Sequence, residues 1–370
     1  MKPFVLLPLA ILMCACQTAD TSRTHSSVGS TSTTPAVVSA LRLAYRTYDG
    51  SQYGLAVANA DGSKVVKLSG PNFVHPDLIR FVQSRNRRWA AWADGGDLRV
   101  AASSTLSSAS TVATSSKPVS VLAVSDDGET IVYEILTPTG PEAFTSELYV
   151  EHLHDRSIKL LRTLAGSFIT CLGDGAFDVT AQRLIAVGCG SGQAAGLLIL
   201  NASDGSIISE DDKFFAWPGQ WAFASDLKTV WLVVDGTTES DIVRYDTATR
   251  TREVLYRSPV WRQSDGSIAP NLAGPVLLAP DESELVFSRY AQGAAPEVLE
   301  LPSAGGTSTM IFKSTTFGGL LSWYPNRYVA ISVDNSTPTQ RIRLIEPLTK
   351  TITAVDTGTG YVEFLAWVTA

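Results

Sequence analysis

Excess positive charge is the first thing this sequence of 370 residues lacks. Lys and Arg number 29 against 36 Asp and Glu, giving a net charge of −7 and a pI near 5.2. A nucleic-acid partner would want a basic stripe, so that class is set aside. Histidine is scarce, with four in the chain. His25 lies in a Ser/Thr-rich stretch, His75 in a loop, and His152 and His154 alternate on an outer hairpin. An H-x-H pair holds a metal only if a third ligand converges, and a solvated polar face accounts for this one; no metal or cofactor is expected. The four cysteines show no zinc spacing. No G-x-S-x-G elbow occurs. Gly190 to Ala195 match the dinucleotide fingerprint G-x-G-x-x-A, but strand-like Leu197 to Leu200 follow, where nucleotide binding requires a helix. Beyond the N-terminus no stretch keeps an amphipathic helical period.

The one long apolar run is Met1 to Cys16, a single Lys followed by a short apolar core. It is too short to span a bilayer and reads as an export signal. Met13-Cys14-Ala15-Cys16 resembles a bacterial lipobox, in which a Cys after a small residue is lipidated and becomes the new N-terminus. Cys16, preceded by Ala15, fits that pattern better than Cys14. The resemblance implies a lipid anchor at Cys16. Gln17 stands where an Asp would favour inner-membrane retention, so the outer membrane is the expected destination in a Gram-negative cell. From Gln17 to Ala36, eleven of twenty residues are Ser or Thr. Such a segment cannot offset its ordering entropy. Residues 17–37 are therefore expected to be a disordered tether with a reach of roughly 25 Å.

Residues 38–370 are organised by a repeat. Val121 to Tyr133 read as an apolar strand, a polar turn at Ser125-Asp126-Asp127-Gly128-Glu129, and a β-branched and aromatic second strand. Val276 to Phe287 repeat the unit with Asp281 at the place of Asp127, and Trp221 to Leu232 repeat it with Asp226. Counting second strands and the hairpins behind them gives seven units at a period of roughly 40 to 50 residues, each of about four short strands. The sequence therefore predicts an all-β, seven-bladed β-propeller of four-stranded antiparallel blades, with six or eight as the neighbouring counts. The first unit begins at Leu41 without an inner strand, and Tyr361 to Val368 form an inner-strand pattern with no blade after it. Pairing of this C-terminal strand with Leu41 to Tyr45 would close the ring and remove its open edges.

At these turns the chain resembles the TolB-type and WD-like propeller repeats of bacterial envelope proteins. Their first turn is matched in varying degree by Ser125 to Gly128, Ala279 to Glu282 and Ala224 to Leu227. Their outer Asp-Gly turn is matched by Asn59 to Gly62 and Ala202 to Gly205. The resemblance covers nearly the whole chain beyond residue 40 and implies a fold and an envelope setting; its motifs specify no chemistry.

Function is read from the loops. Those entering inner strands and those joining second to third strands share one face of a propeller. Here they include the stretches around Phe73, Trp217 and Trp261, Thr137 to Thr145, and Gly188 to Gly196. Aromatics and Arg are enriched at interaction hot spots, so Phe73, Trp217, Trp261 and Arg262 are the expected binding face. Phe214, Phe215 and Trp221 serve equally well as core cover. The leading expectation is a non-enzymatic, monomeric binding or scaffold module for an envelope protein or polymer. The alternative is an envelope lyase or hydrolase acting on a sugar or peptide at the central mouth. Such an enzyme would want convergent His, Arg and carboxylates near the strand starts, where no His falls.

Beyond the signal and Cys16, two cysteines remain, Cys171 and Cys189. In an exported chain they are expected to form a disulfide, contributing roughly 3 kcal/mol by chain entropy. Symmetric pairing about a turn at Thr180 to Arg183 places Cys189 opposite about Asp174, a few residues off register with Cys171.

Overall fold

The computed structural model describes residues 42–48, 51–59, 63–73, 80–140, 143–164, 171–178, 180–189, 197–211, 221–235, 238–262, 268–269, 272–279, 281–290, 295–313, 317–323, 329–333, 341–346, 349, 351–355 and 361–368. Apart from one short 3-10 segment, Ser103–Ser108, the regular structure there is strand. β1 (Arg42–Tyr48), β2 (Tyr53–Asn59) and β3 (Val66–Phe73) form a meander. A second sheet holds β4 (Phe81–Gln83), β5 (Trp89–Asp94), β6 (Asp97–Ala102) and β7 (Ser110–Thr114). A third holds β8 (Val119–Val124), β9 (Thr130–Gly140), β10 (Ala143–His152) and β11 (Ser157–Leu164). The next holds β12 (Cys171–Phe177), β13 (Arg183–Cys189), β14 (Leu197–Asn201) and β15 (Ile207–Asp211). β16 (Trp221–Phe223), β17 (Thr229–Asp235), β18 (Glu239–Asp246) and β19 (Arg252–Pro259) follow, then a two-stranded ribbon of β20 (Trp261–Arg262) and β21 (Ile268–Ala269). Two more sheets hold β22 (Leu272–Leu278), β23 (Glu284–Arg289), β24 (Glu297–Pro302) and β25 (Thr309–Lys313), then β26 (Phe317–Trp323), β27 (Val329–Val333), β28 (Arg341–Glu346) and β29 (Thr351–Val355). The last strand, β30 (Tyr361–Val368), returns to pair antiparallel with β1, Leu43 opposite Trp367 and Tyr45 opposite Phe364.

Burial is lowest in the last strand of a sheet, and composition explains it. All six residues of β8, apolar apart from Ser120, are buried, as a strand covered on both faces requires. β15 and β19 carry charges and are mostly exposed. Between neighbouring sheets the apolar faces interlock. Leu55 and Val57 pack with Trp92 and with Val368 of the last strand, and Val121 and Tyr133 with Leu98 and Val100. Leu122 and Val132 meet Phe177 and Leu184, and Ile185 and Ile199 meet Trp221 and Val230. Trp231 and Val233 meet Leu272 and Phe287, and Val286 and Val298 meet Ile345. β30 approaches both β4 and β26.

Five turns from a first to a second strand share one geometry. The fourth residue donates its N–H back to the carbonyl of the first: Arg87 to Ser84, Gly128 to Ser125, Ala181 to Asp178, Leu227 to Ala224 and Glu282 to Ala279, at 2.8–3.1 Å. That fourth residue lies in the left-handed region in every case, with φ of 58°, 75°, 55°, 55° and 60° respectively. Only Gly128 is spared the cost of about 1 kcal/mol that a side chain incurs there. The third residue is commonly Asx and accepts an N–H two residues on: Asn86 from Arg88, Asp127 from Glu129, Asp226 from Lys228 and Asp281 from Ser283. This is the aspartate alignment expected from the sequence, and its mechanism is an Asx turn. Ser125 also donates to Asp127 at 2.5 Å, and the two bonds hold the Asp127 carboxyl below the usual range.

Several local expectations fail. Thr137 to Thr145, expected as a loop, mostly extends the β9–β10 hairpin, with Thr145 opposite Thr137. β-branched residues continue the ladder where polarity alone suggested a loop. Phe73, expected in a loop, closes β3 opposite Tyr53. Trp261 and Arg262, expected in a loop, form β20 opposite Ala269 and Ile268. Cys16, Trp217, His25, His75 and the fingerprint at 190–195 lie outside the described residues. Among the described residues no helix is long and apolar enough to cross a membrane.

Candidate active site

The C-terminal ends of β4, β8, β12, β16 and β22 surround one cleft of about 400 Å³, with their turns at its rim. Those turns contribute charged side chains to its lining. Arg87 and Glu282, both fourth residues with positive φ, line the cleft, as does Leu227. The same left-handed turn residue recurs away from the cleft at Lys64, Arg156 and Arg250, so the positive φ belongs to the turn. Arg85, Asp126 and Asp178 complete the charged rim.

The rim is cross-linked between sheets. Arg85 Nη2 donates to Glu282 Oε1 at 2.7 Å, joining the β4–β7 sheet to the β22–β25 sheet across 197 residues of chain. The same Oε1 accepts the Ser225 N–H at 2.7 Å, so Glu282 ties in the turn after β16 as well. Asp126 Oδ1 accepts the Asn86 N–H at 2.7 Å, and its carbonyl accepts from Asn86 Nδ2 at 2.8 Å. Asp178 is occupied within its own turn, accepting from Gln182 and Arg183 N–H groups and from Thr180 Oγ1. Among the lining residues, Gln83 Nε2 and Trp221 Nε1 are buried with no hydrogen-bond partner among the described residues. Trp221 is 5% exposed, so its N–H has lost water as a partner too. A buried donor left unmade costs about 1–3 kcal/mol, a deficit that an acceptor-bearing ligand would remove. The lining carries two guanidiniums, an amide and an indole as donors against three carboxylates, Asp126, Asp178 and Glu282, the last of which pairs Arg85.

The sequence singled out a different end of the inner strands. Phe73 ends a strand before the entry to β4, whereas the cleft lies at Gln83, where β4 leaves. Asp126 and Glu282 enter the sequence reading as turn residues alone, and Gln83, Arg85, Arg87 and Asp178 have no part in it. Their common signal is available in the sequence, since Arg87 and Glu282 occupy the turn position that Gly128 fills. Trp221 joins the core cluster with Ile185 and Val230 while bordering the cleft. His152 Nδ1 lies 3.2 Å from Thr130 Oγ1, within its own hairpin. Among the described residues no three His, Cys, Asp or Glu converge as metal ligands would.

No protein-family model matches the chain, and no curated protein sequence matches it. Solved structures do. The oligogalacturonate lyase of Vibrio parahaemolyticus is similar over 84% of this chain and 92% of its own, at 14% identity and a TM-score of 0.57. A puromycin-hydrolysing peptidase of Mycobacterium tuberculosis is similar over 86% of this chain and 54% of its own, at 12% identity and a TM-score of 0.56. TolB from Acinetobacter baumannii is similar over 88% of this chain and 82% of its own, at 10% identity and a TM-score of 0.49, too distant to set TolB apart from other propellers. The expectation that the chain is not an enzyme is thereby overturned: proteins of its fold include a lyase and a peptidase. That expectation rested on the scarcity of His at the strand starts, but charged groups converge at the opposite strand ends instead. What sequence and structure together establish is an all-β chain of four-stranded antiparallel sheets with a propeller-like fold, similar in structure to propeller enzymes.

Proposed function

We propose that this chain is a propeller enzyme of the lyase or hydrolase class, acting at the cleft on a carboxylate-bearing sugar polymer of the cell envelope. The observation that carries this reading is the donor content of the cleft, whose lining includes Arg85, Arg87, Gln83 and Trp221. Anionic sugars offer the acceptors those groups want, and guanidiniums suit carboxylates by planar, paired hydrogen bonding. The likeness to a lyase of oligogalacturonate supports the same substrate class. In the elimination, Glu282 removes the proton α to the substrate carboxylate; its hydrogen bonds to Arg85 and Ser225 both fall on Oε1, leaving Oε2 for that role. Arg85 and Arg87 hold the carboxylate on which negative charge builds; as the C=C bond forms, the C–O bond to the glycosidic oxygen breaks and that oxygen takes a proton from water. General-base catalysis of this kind contributes about 10²–10⁴-fold, and loss of one charge-stabilising donor costs about 10²–10³-fold.

The sheets are in this reading the blades of a seven-bladed ring, closed by β30 in the first blade; the interlocked apolar faces of successive sheets support it. Residues 38–370 form that domain, a monomer. Cys16 carries the lipid anchor and residues 17–37 the tether, which would hold the enzyme at the outer membrane beside its polymer. Phe73, Trp217, Trp261 and Arg262 form a secondary face for the same polymer.

The experiment is turnover of uronic-acid oligomers, read by the ultraviolet absorbance of the conjugated product and by new reducing ends. Wild type should cleave, and Glu282→Gln should lose at least about 100-fold in kcat while keeping its melting temperature. Equal turnover by both chains, or none from any acidic oligomer, would sink the proposal.

A further inference from the structure

We infer that Cys171 and Cys189 are a cross-strand disulfide pair, a redox site at the open end of the hairpin whose closed end lines the cleft. The ladder between β12 and β13 places Cys171 directly opposite Cys189. Two departures from symmetric pairing bring this about. The turn closes from Asp178, whose N–H donates to the Arg183 carbonyl at 3.0 Å, so Phe177 opposes Leu184 and the whole ladder moves by two residues. A bulge between Leu172 and Asp174 then adds one more, leaving Gly173 as the extra residue. Glycine is the residue a bulge accommodates at least steric cost. The offset of three residues between Cys171 and Asp174 is thus removed by the local backbone.

Directly opposed antiparallel residues share one face of the sheet, with Cα separations of about 4.5 or 5.5 Å according to their place in the hydrogen-bond pattern. Both values fall inside the window of about 4.4–6.8 Å that a disulfide requires. No other cysteine competes within 38–370. The oxidant is a low-molecular-weight or protein disulfide. One cysteine thiolate attacks it and releases one thiol; the other cysteine then attacks the mixed disulfide and releases the second, so one S–S bond is broken and one is formed. Closing β12 and β13 at Cys171 fixes the far end of the strand whose Gly175 to Phe177 line the cleft. That strand has little room to shift, since a Cβ on Gly175 would come within 3.1 Å of Leu122 Cβ.

The test uses the full chain, reduced and then exposed in the folded state to oxidised glutathione. Thiols are alkylated after denaturation and the peptides mapped by mass spectrometry. The expected product is one Cys171–Cys189 linked peptide pair, about 2 Da lighter than the dithiol, with no retained glutathione. The oxidised chain should melt about 4–5 °C above both the reduced chain and the Cys171→Ser/Cys189→Ser double variant. Two alkylated thiols, a separate glutathione adduct on each, or a bridge to Cys14 or Cys16 would overturn the inference. The outcome is independent of turnover at the cleft.

Discussion

Gly128→Ala isolates a single inter-sheet contact, and its cost can be worked from the geometry. Gly128 sits at φ 75°, and an added Cβ would lie 2.2 Å from Cδ2 and 2.4 Å from Cε2 of Trp89, which belongs to the neighbouring sheet. The backbone alone costs little. Ala181 already occupies the same turn position at φ 55°. A left-handed Ala costs about 1 kcal/mol, offset by about 0.5–1 kcal/mol from the reduced freedom of the unfolded chain. The contact with Trp89 is the larger effect, since forcing atoms into packed space costs about 1–3 kcal/mol. For a domain of this size each kcal/mol moves the midpoint by about 1.4 °C. Gly128→Ala should therefore melt about 1.5–4 °C below wild type by calorimetry. In a Trp89→Ala background the same change should cost less than about 0.5 kcal/mol, giving a coupling of at least about 1 kcal/mol in the double-mutant cycle. An equal penalty in both backgrounds would refute the contact and the packing of these two sheets.

Glu151 gives a pH-dependent case. It is 3% exposed, its Oε2 has no hydrogen-bond partner among the described residues, and burial pushes its carboxyl above the usual range despite the opposing charge of Arg156. Near pH 4 both folded and unfolded chains hold the proton; as pH rises the unfolded chain ionises first, and stability falls. Glu151→Met should thus be more stabilising at pH 7 than at pH 4, measured by denaturant titration at both. A difference of zero or of opposite sign would contradict the assignment. For the anchor, Cys16→Ser should release the chain from membranes and abolish lipid labelling; wild-type labelling in the variant would remove Cys16 as the lipid site.

The architecture was legible because it repeats. The second strands at Ile131, Leu184, Val230 and Leu285 stand where the apolar runs put them, and Tyr361 to Val368 pair with β1 as the unmatched inner strand suggested. Failures came where a polar composition coexists with extended backbone, as at Thr137 to Thr145 and in the ribbon at Trp261. The cleft was not legible because its residues are hidden in turn positions. Ser84 to Arg88 lacks the Asp-Gly signature, so Arg87 reads as an ordinary charged turn residue until its positive φ and the convergence of five strand ends are seen together. Convergence of residues 83, 178 and 282 is a property of sheet arrangement, which no local pattern encodes. The cysteine register depended on a bulge at Gly173, which counting from a turn cannot foresee.

Calorimetric titration of a uronic-acid oligomer into the Glu282→Gln chain tests the cleft most directly, because binding is read without turnover. The account predicts saturable binding that Arg87→Ala, added to the same chain, weakens by about 10- to 100-fold, the equivalent of one charge-assisted hydrogen bond of about 1.5–3 kcal/mol. It also predicts that a neutral oligomer of the same length binds at least about 10-fold more weakly. Affinity unchanged by Arg87→Ala, or equal for the neutral and acidic oligomers, would contradict it.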